Sequence, residues 1–387
     1  MGAFKGEAIA NGERIERAGS HMLREILEQP EAIRQTVRQH WGGVSEGIRF
    51  DRSFIPVEYI AACNRILIAA SGASRHAGLF AQAAIEQFAG IPVQVEFSSE
   101  YCNRPVAPGN GALAIVLSQS GETGDTKAAL LRAKEAGYKT IAITNVVGST
   151  IAAQADAVMY TYAGRELAIP ATKSFLCQLA AVYLVALLVG ATNGRCAETD
   201  VFREVSRLAD AADLLEVAMP KIEHSAQHIA TEFQNINDWV LLGRGVHYAV
   251  ALEGALKLKE TAYLRAEAFP AGEFRHGPQA ILDGSQVVVG VVGHDSTDKA
   301  SQSRYRKTLG VLNEIAQFSG PLVLIAISND LAAKKRTGNL MCVPETSEFM
   351  LALLETVALQ ALAYNLAKLR GLDVDRPRNL VKSVEAD

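Results

Sequence analysis

The sequence predicts an α/β protein made of two tandem domains, each a parallel sheet flanked by helices. Short apolar runs alternate with helical patterns along most of the chain, as a parallel sheet covered on both faces requires. The cycle occurs twice, on either side of a helical connector at residues 204–231, and a repeat of roughly 150–170 residues suits one domain per cycle. The 387 residues are 49% hydrophobic and 21% charged, which supplies enough apolar surface for two cores.

The elements follow in order. Residues 1–46 read as an N-terminal extension with a helical stretch from about 22 to 41. The first domain, 47–203, opens with the strand "RILIAASGAS" and the helix "HAGLFAQAAIEQFAG". It continues through the strand "IPVQVEF", the unit "ALAIVLSQSGET" with its helix, "KTIAITN" and "AVMYTYA". The second domain, 232–370, repeats strand, glycine turn and helix in "DWVLLGRGVHYAVALEGALKLKETAY", and "SQVVVGVVGHDS" and "GPLVLIAIS" follow. "AEAFPAGEF" reads as loop, and residues 371–387 form a tail.

Composition excludes several classes. A formal net charge of −4 and the lack of a basic tract argue against nucleic-acid binding. The five cysteines (Cys63, Cys102, Cys177, Cys196, Cys342) form no CxxC pair and the histidines are scattered, so a reduced, cytoplasmic protein with no metal centre is expected. The N-terminus has no apolar core of signal-peptide type. "FLCQLAAVYLVALLVG" (Phe175 to Gly190) is short for a membrane span and contains Gln178, so it reads as a helix buried in a core or dimer interface.

The first chemical signal is SQSGET, Ser118 to Thr123, between an apolar strand at Leu113 to Leu117 and an amphipathic helix at Lys127 to Ala136. Ligands in parallel sheets sit at the carboxyl ends of strands, where both SGAS and SQSGET fall. Hydroxyls and free backbone N–H groups at a helix N-terminus favour an anion. The lysine of a nucleotide P-loop is missing. The same residues would also serve an ordinary capped helix, with Glu122 in its first turn. The second domain has Gly293-His294-Asp295 in the corresponding place, so anion binding is expected of the first only.

In the second domain, Gly243-Arg244-Gly245 lacks the third glycine of a dinucleotide fingerprint, and no acidic residue closes a following strand. On the next helix, Glu253, Lys257 and Glu260 share one face at i, i+4 and i+7. That pattern is either a solvated face with Glu–Lys pairing or a partly buried carboxylate tuned for proton transfer. His276 lies in the loop "AGEFRHGPQA"; such a residue is often only on the surface, yet its near-neutral pKa suits acid–base work. Lys382 lies in the tail "DVDRPRNLVKSV", and a lysine near a carbonyl can form a Schiff base.

SGAS, SQSGET, "ATKSF", "ALEGALKLKE", "AEAFPAGEFRHGP" and "DVDRPRNLVKSV" occur in that order. Together they resemble the isomerase half of the glucosamine-6-phosphate synthase family, the glutamine–fructose-6-phosphate aminotransferases, which is a tandem of sugar isomerase (SIS) domains. The resemblance runs from about His21, where "EILEQPEAI" is similar to the family's interdomain helix, to the tail. It implies that Ser74, Ser118, Gln119, Ser120 and Thr123 cradle a phosphate, and that Ile169 and Ala171 line the sugar pocket. The family usually has serine at the position of Ala171. Glu260 would move a proton between C1 and C2, with Lys257 beside it and Glu253 linked to amination. His276 would open the ring from the neighbouring subunit, which implies at least a homodimer, and Lys382 would hold the open-chain ketose as a Schiff base.

The family's synthases carry an N-terminal glutaminase whose cysteine follows the initiator Met, whereas here Met1 is followed by Gly2 and little sequence precedes the matching helix. The expectation is therefore that glutamine is not the nitrogen donor unless a separate partner supplies ammonia. The expected reaction interconverts glucosamine 6-phosphate with fructose 6-phosphate and free ammonia, the deaminase direction favoured, with no cofactor. The alternatives are a 6-phosphofructosyl-amino-acid deglycase, a plain phosphosugar isomerase, or a non-enzymatic sugar-phosphate sensor or glutaminase partner. A sensor could dispense with Glu260, His276 and Lys382, and all three are present.

Overall fold

A computed structural model describes residues 14–15 and 18–382. Most of the expected extension before His21 and the tail beyond Lys382 lie outside the described residues. The longer helices are α1 (His21–Leu27), α2 (Gln29–His40), α3 (Gly72–Ala89), α4 (Gly124–Glu135), α5 (Lys173–Thr192), α6 (Glu198–Phe233), α7 (Val246–Ala262), α8 (Lys299–Ile315) and α9 (Glu348–Leu369). The strands are β1 (Arg52–Ser53), β2 (Arg65–Ala70), β3 (Val93–Phe97), β4 (Ala112–Ser118), β5 (Lys139–Thr144), β6 (Ala157–Tyr160), β7 (Asp238–Gly243), β8 (Arg265–Pro270), β9 (Val287–Val291), β10 (Leu322–Ile327) and β11 (Leu340–Val343).

Two compact units result. The first gathers Glu31–Glu166, Lys173–Asp210 and the chain from Val381; the second gathers the chain up to Pro30, Leu167–Thr172 and Ala211–Leu380. Tertiary contacts thus divide the chain differently from the linear boundaries at 47, 204, 232 and 371, because short segments pack away from their sequence neighbours. The expected connector is part of one continuous helix, α6.

The first unit holds a six-stranded sheet in the order β1-β6-β5-β4-β2-β3. Two-residue β1 runs antiparallel to β6, and the other pairings are parallel. The second unit holds a five-stranded sheet, β11-β10-β9-β7-β8, parallel throughout. Counted from β2 and from β7, both follow the order 2-1-3-4-5, so the sequence duplication is a duplication of topology. In this order the chain reverses direction between the first and third strands, and the loops leaving their carboxyl ends diverge around a crevice. Those loops begin at Ser71 and Gln119 in the first unit and at Arg244 and Val292 in the second.

Central strands are buried on both faces. Every residue of β4 is buried, as is every residue of β9, which is why they read as unbroken apolar runs. In the first unit α3 packs against α5, and in the second α7 packs against α9. Gly254 permits the second contact: a Cβ there would lie 2.5 Å from Leu359 Cδ1. Helices α5 and α9 are long and apolar enough to cross a bilayer by length and composition, and their apolar windows are 83% and 94% buried in the protein.

One segment corrects the sequence reading. "AEAFP", read as loop, lies in β8, which pairs with β7 from Asp238↔Arg265 to Gly243↔Pro270. As an edge strand it tolerates the exposed Glu267 and a terminal proline, which need no second ladder partner.

Candidate functional site

The SQSGET loop is tied down by its own backbone and hydroxyls. Ser118 ends β4, and its Oγ lies 2.9 Å from Thr123 Oγ1 and accepts from Gly121 N at 3.0 Å. The Gln119 carbonyl accepts from Asn145 N at 3.0 Å. Gly121 sits at φ +67 with Ser149 Oγ only 2.0 Å from where a Cβ would be, so glycine is required by conformation and by space. Ser120 Oγ accepts from Glu122 N at 3.1 Å.

Two details distinguish this loop from a simple helix cap. Thr123 is the N-cap of α4, but its side chain makes no capping hydrogen bond; its hydroxyl faces Ser118 instead. Glu122 is turned away to Thr150, whose backbone N–H donates to Oε1 at 2.7 Å. That bond, with one from the Thr150 hydroxyl, holds the Glu122 carboxyl below its ordinary pKa. The negative charge of the motif is thereby committed to the next helix start. Across the crevice, Ser74 Oγ accepts from Gln178 Nε2 at 3.0 Å. A lone glutamine in the apolar helix α5 was the sequence signal for that supporting role.

In the second unit the equivalent crevice is already filled. Gly293 N donates to Glu355 Oε1 at 2.9 Å, and Glu355 Oε2 lies 2.7 Å from His247 Nδ1. Glu355 is fully buried, so the protein's own carboxylate lies against the backbone N–H of the loop that follows β9. Burial opposes charge on His247, but Glu355 and Glu348 outweigh it and raise its pKa to about 10.

Helix α7 begins after the Gly243-Arg244-Gly245 turn, and there the pattern at 253, 257 and 260 is not a solvated face. Lys257 and Glu253 side chains are each 1% exposed, at 3.3 Å from one another. Lys257 Nζ also donates to Glu260 Oε2 at 2.6 Å. Burial works against the ammonium, but Glu260 and then Glu253 hold its pKa above the ordinary lysine value. Glu260 is the member that reaches out, its side chain 21% exposed. It lines a cleft of about 440 Å³ with Leu256, Lys259, Tyr263 and Arg378. The guanidinium of Arg378 lies 4.2 Å from the Tyr263 ring centroid, and Arg378 N donates to Tyr263 Oη at 2.8 Å, so the tail is stapled to the end of α7. A carboxylate beside a fixed ammonium, open on one side, can accept and return a proton.

The remaining predicted residues are placed as follows. Ile169 N donates to the Asp375 carbonyl at 2.9 Å, tying the segment with Ile169 and Ala171 to the start of the tail. His276 is exposed at the end of a short 3-10 turn. In the first unit, Lys382 Nζ lies 2.6 Å from Glu166 Oε2, a partner that sequence reasoning missed.

The comparisons bear on the fold and its family. The SIS domain family matches residues 59–188 and 232–370. Glutamine–fructose-6-phosphate aminotransferase (isomerizing) from Caldanaerobacter subterraneus is 39% identical over 366 residues, covering 95% of this chain and 59% of the relative. The Chlorobaculum tepidum aminotransferase of the same name is 37% identical, over 97% and 60%. The chain thus spans about 60% of the length of these curated relatives. The C-terminal domain of the glucosamine–fructose-6-phosphate aminotransferase from Francisella tularensis superposes with a TM-score of 0.86 at 32% identity, covering 94% of this chain and 99% of that one. A glucosamine-6-phosphate deaminase from Thermotoga maritima shares the fold, with a TM-score of 0.70 at 22% identity over 95% of this chain and 100% of that one. With two matched copies, one topology repeated and a hydroxyl loop at the first crevice, the chain belongs to the SIS domain family, in the branch of the isomerase domain of the glutamine–fructose-6-phosphate aminotransferases.

Proposed function

We propose that this protein is a sugar-phosphate isomerase that moves a proton between C1 and C2 of a hexose 6-phosphate, with Glu260 as the acid–base. The observation that carries the proposal is the buried Lys257 ammonium, 2.6 Å from the one carboxylate of its cluster that reaches a cleft. The geometry puts a carboxylate oxygen where it can take a proton from a sugar in the cleft and return it. Ser74, Ser118, Gln119, Ser120 and Thr123 hold the phosphate, and Ile169 and Ala171 border the sugar. His276 opens the ring, reaching the site of a second copy in a homodimer, and Lys382 holds the open-chain ketose as a Schiff base.

In the finer reading the substrate pair is glucosamine 6-phosphate and fructose 6-phosphate plus free ammonia, handled in the cytoplasm, where the free thiols fit a reducing environment. At low ammonia, mass action drives this exchange toward fructose 6-phosphate, the deaminase direction. The curated relatives' names support the substrate class. The test is a substrate panel on the purified protein: glucosamine 6-phosphate, fructose 6-phosphate with ammonia or with glutamine, and 6-phosphofructosyl amino acids. Turnover of the first is expected. Turnover of only the last would replace the reading with a deglycase, and no turnover of any would overturn it.

A further inference from the structure

Glu166 belongs to no motif of the sequence reading, yet it is the most deeply buried carboxylate of the tail contact. Its side chain is 0% exposed, against 29% for Lys382. Ser174, in the first turn of α5, holds it twice: the backbone N–H donates to Oε1 at 3.1 Å and the hydroxyl to Oε2 at 2.7 Å. The same Oε2 lies 2.6 Å from Lys382 Nζ. Among the described residues, the buried thiol of Cys177 senses both this carboxylate and the buried Lys173.

A clasp that only fastened a tail would need no such carboxylate, since surface ion pairs contribute little and burying a carboxylate is costly. The geometry is instead that of a proton acceptor aimed at an amine with one open side. We propose that Glu166 is a further catalytic residue, the base that frees the Lys382 amine for attack on the ketose carbonyl. The inference rests on Lys382 forming the Schiff base.

The step balances. The ammonium of Lys382 gives one proton to the Glu166 carboxylate, and the freed lone pair attacks C2, forming the N–C bond. The carbonyl π pair moves to oxygen, which takes the proton back from Glu166 and becomes the hydroxyl of a carbinolamine. The nitrogen returns a proton to Glu166, Glu166 protonates the hydroxyl, and water leaves. Ammonium plus carbonyl has become iminium plus water, with the carboxylate facing a cation at both ends. The Ser174 hydrogen bonds keep the acceptor oriented toward the amine.

The test traps the imine. Wild type, Lys382→Ala, Glu166→Gln and Glu166→Asp are incubated with fructose 6-phosphate and borohydride, and the adduct is followed by intact mass and located by peptide mapping. Wild type should form an adduct on Lys382 at a rate nearly independent of pH, and Lys382→Ala should form none. Glu166→Gln should trap about 10²-fold more slowly near neutrality, the contribution typical of a positioned base. Its rate should climb with pH, as hydroxide replaces the lost acceptor. Glu166→Asp should keep the flat profile at reduced rate, and it carries the test if the Gln variant fails to fold. An adduct at Lys382 that forms as fast in Glu166→Gln with an unchanged profile would overturn the role of Glu166 alone, since loss of a purely electrostatic partner would leave the amine no less nucleophilic. Absence of any Lys382 adduct in wild type would overturn the Schiff-base reading beneath it.

Discussion

Replacing Lys257 by Met should destabilise the second unit strongly and in a pH-dependent way. The change removes the ammonium that lies 3.3 Å from Glu253, both side chains being 1% exposed. At that separation the attraction is about 5 kcal/mol for an effective dielectric near 20, close to the ~3–5 kcal/mol lost when one partner of a buried pair is removed. For a unit of this size that is roughly 6–20 °C in melting temperature. The direction with pH follows from the group left behind. Without the ammonium, the burial of the Glu253 carboxylate is less compensated, so the deficit is greatest at about pH 8 and shrinks toward about pH 5. Wild type shows no such trend from this pair. The Lys257 pKa is raised on folding, so its contribution is complete below the ordinary lysine pKa and is lost only as pH rises through the folded value. Circular-dichroism melts of wild type, Lys257→Met and Lys257→Met/Glu253→Gln at both pH values give the answer. The double variant should recover most of the loss, because it buries no orphan charge. A single variant within about 1 kcal/mol of wild type at both pH values would refute the reasoning.

Other outcomes follow from the same structure. Gly121→Ala should abolish inorganic-phosphate protection in thermal-shift assays, because the added Cβ meets Ser149 Oγ at 2.0 Å in a left-handed backbone. Ser118→Ala should raise KM for the sugar phosphate about tenfold at nearly unchanged kcat, the signature of lost uniform binding. His247→Gln should cost about 3–5 kcal/mol, since it strands buried Glu355. It should also remove a slope in wild-type urea stability. His247 is raised to about 10, so its contribution is complete below the ordinary histidine range and erodes as pH rises toward that value.

The sequence showed the duplication, the crevice loops and the lysine–carboxylate helix because each is local. Five successive parallel strands announce themselves as apolar runs, and SQSGET interrupts one of them. What it hid is non-local or ambiguous in period. Strand β8 carries exposed Glu267 and ends in Pro270 because it needs only one neighbour, so edge strand and loop look alike in sequence. The spacing of Glu253, Lys257 and Glu260 fitted both a solvated and a buried face, and only packing of α7 against α9 decided between them. Glu166 meets Lys382 from 216 positions away, and Glu355 meets Gly293 across 62. No periodicity registers such pairs. An acid immediately before "LAIPATKSF" was the available hint for Glu166.

The central claim is that Glu260 carries the C1–C2 proton transfer while the hydroxyl loop separately anchors the phosphate. Exchange of the C1 proton of fructose 6-phosphate with deuterated solvent, followed by NMR, reports that step without any nitrogen chemistry. Wild type should exchange it, and Glu260→Gln should lose about 10²–10⁴-fold in rate while binding the sugar phosphate as tightly as wild type. Exchange in Glu260→Gln at the wild-type rate would contradict the account.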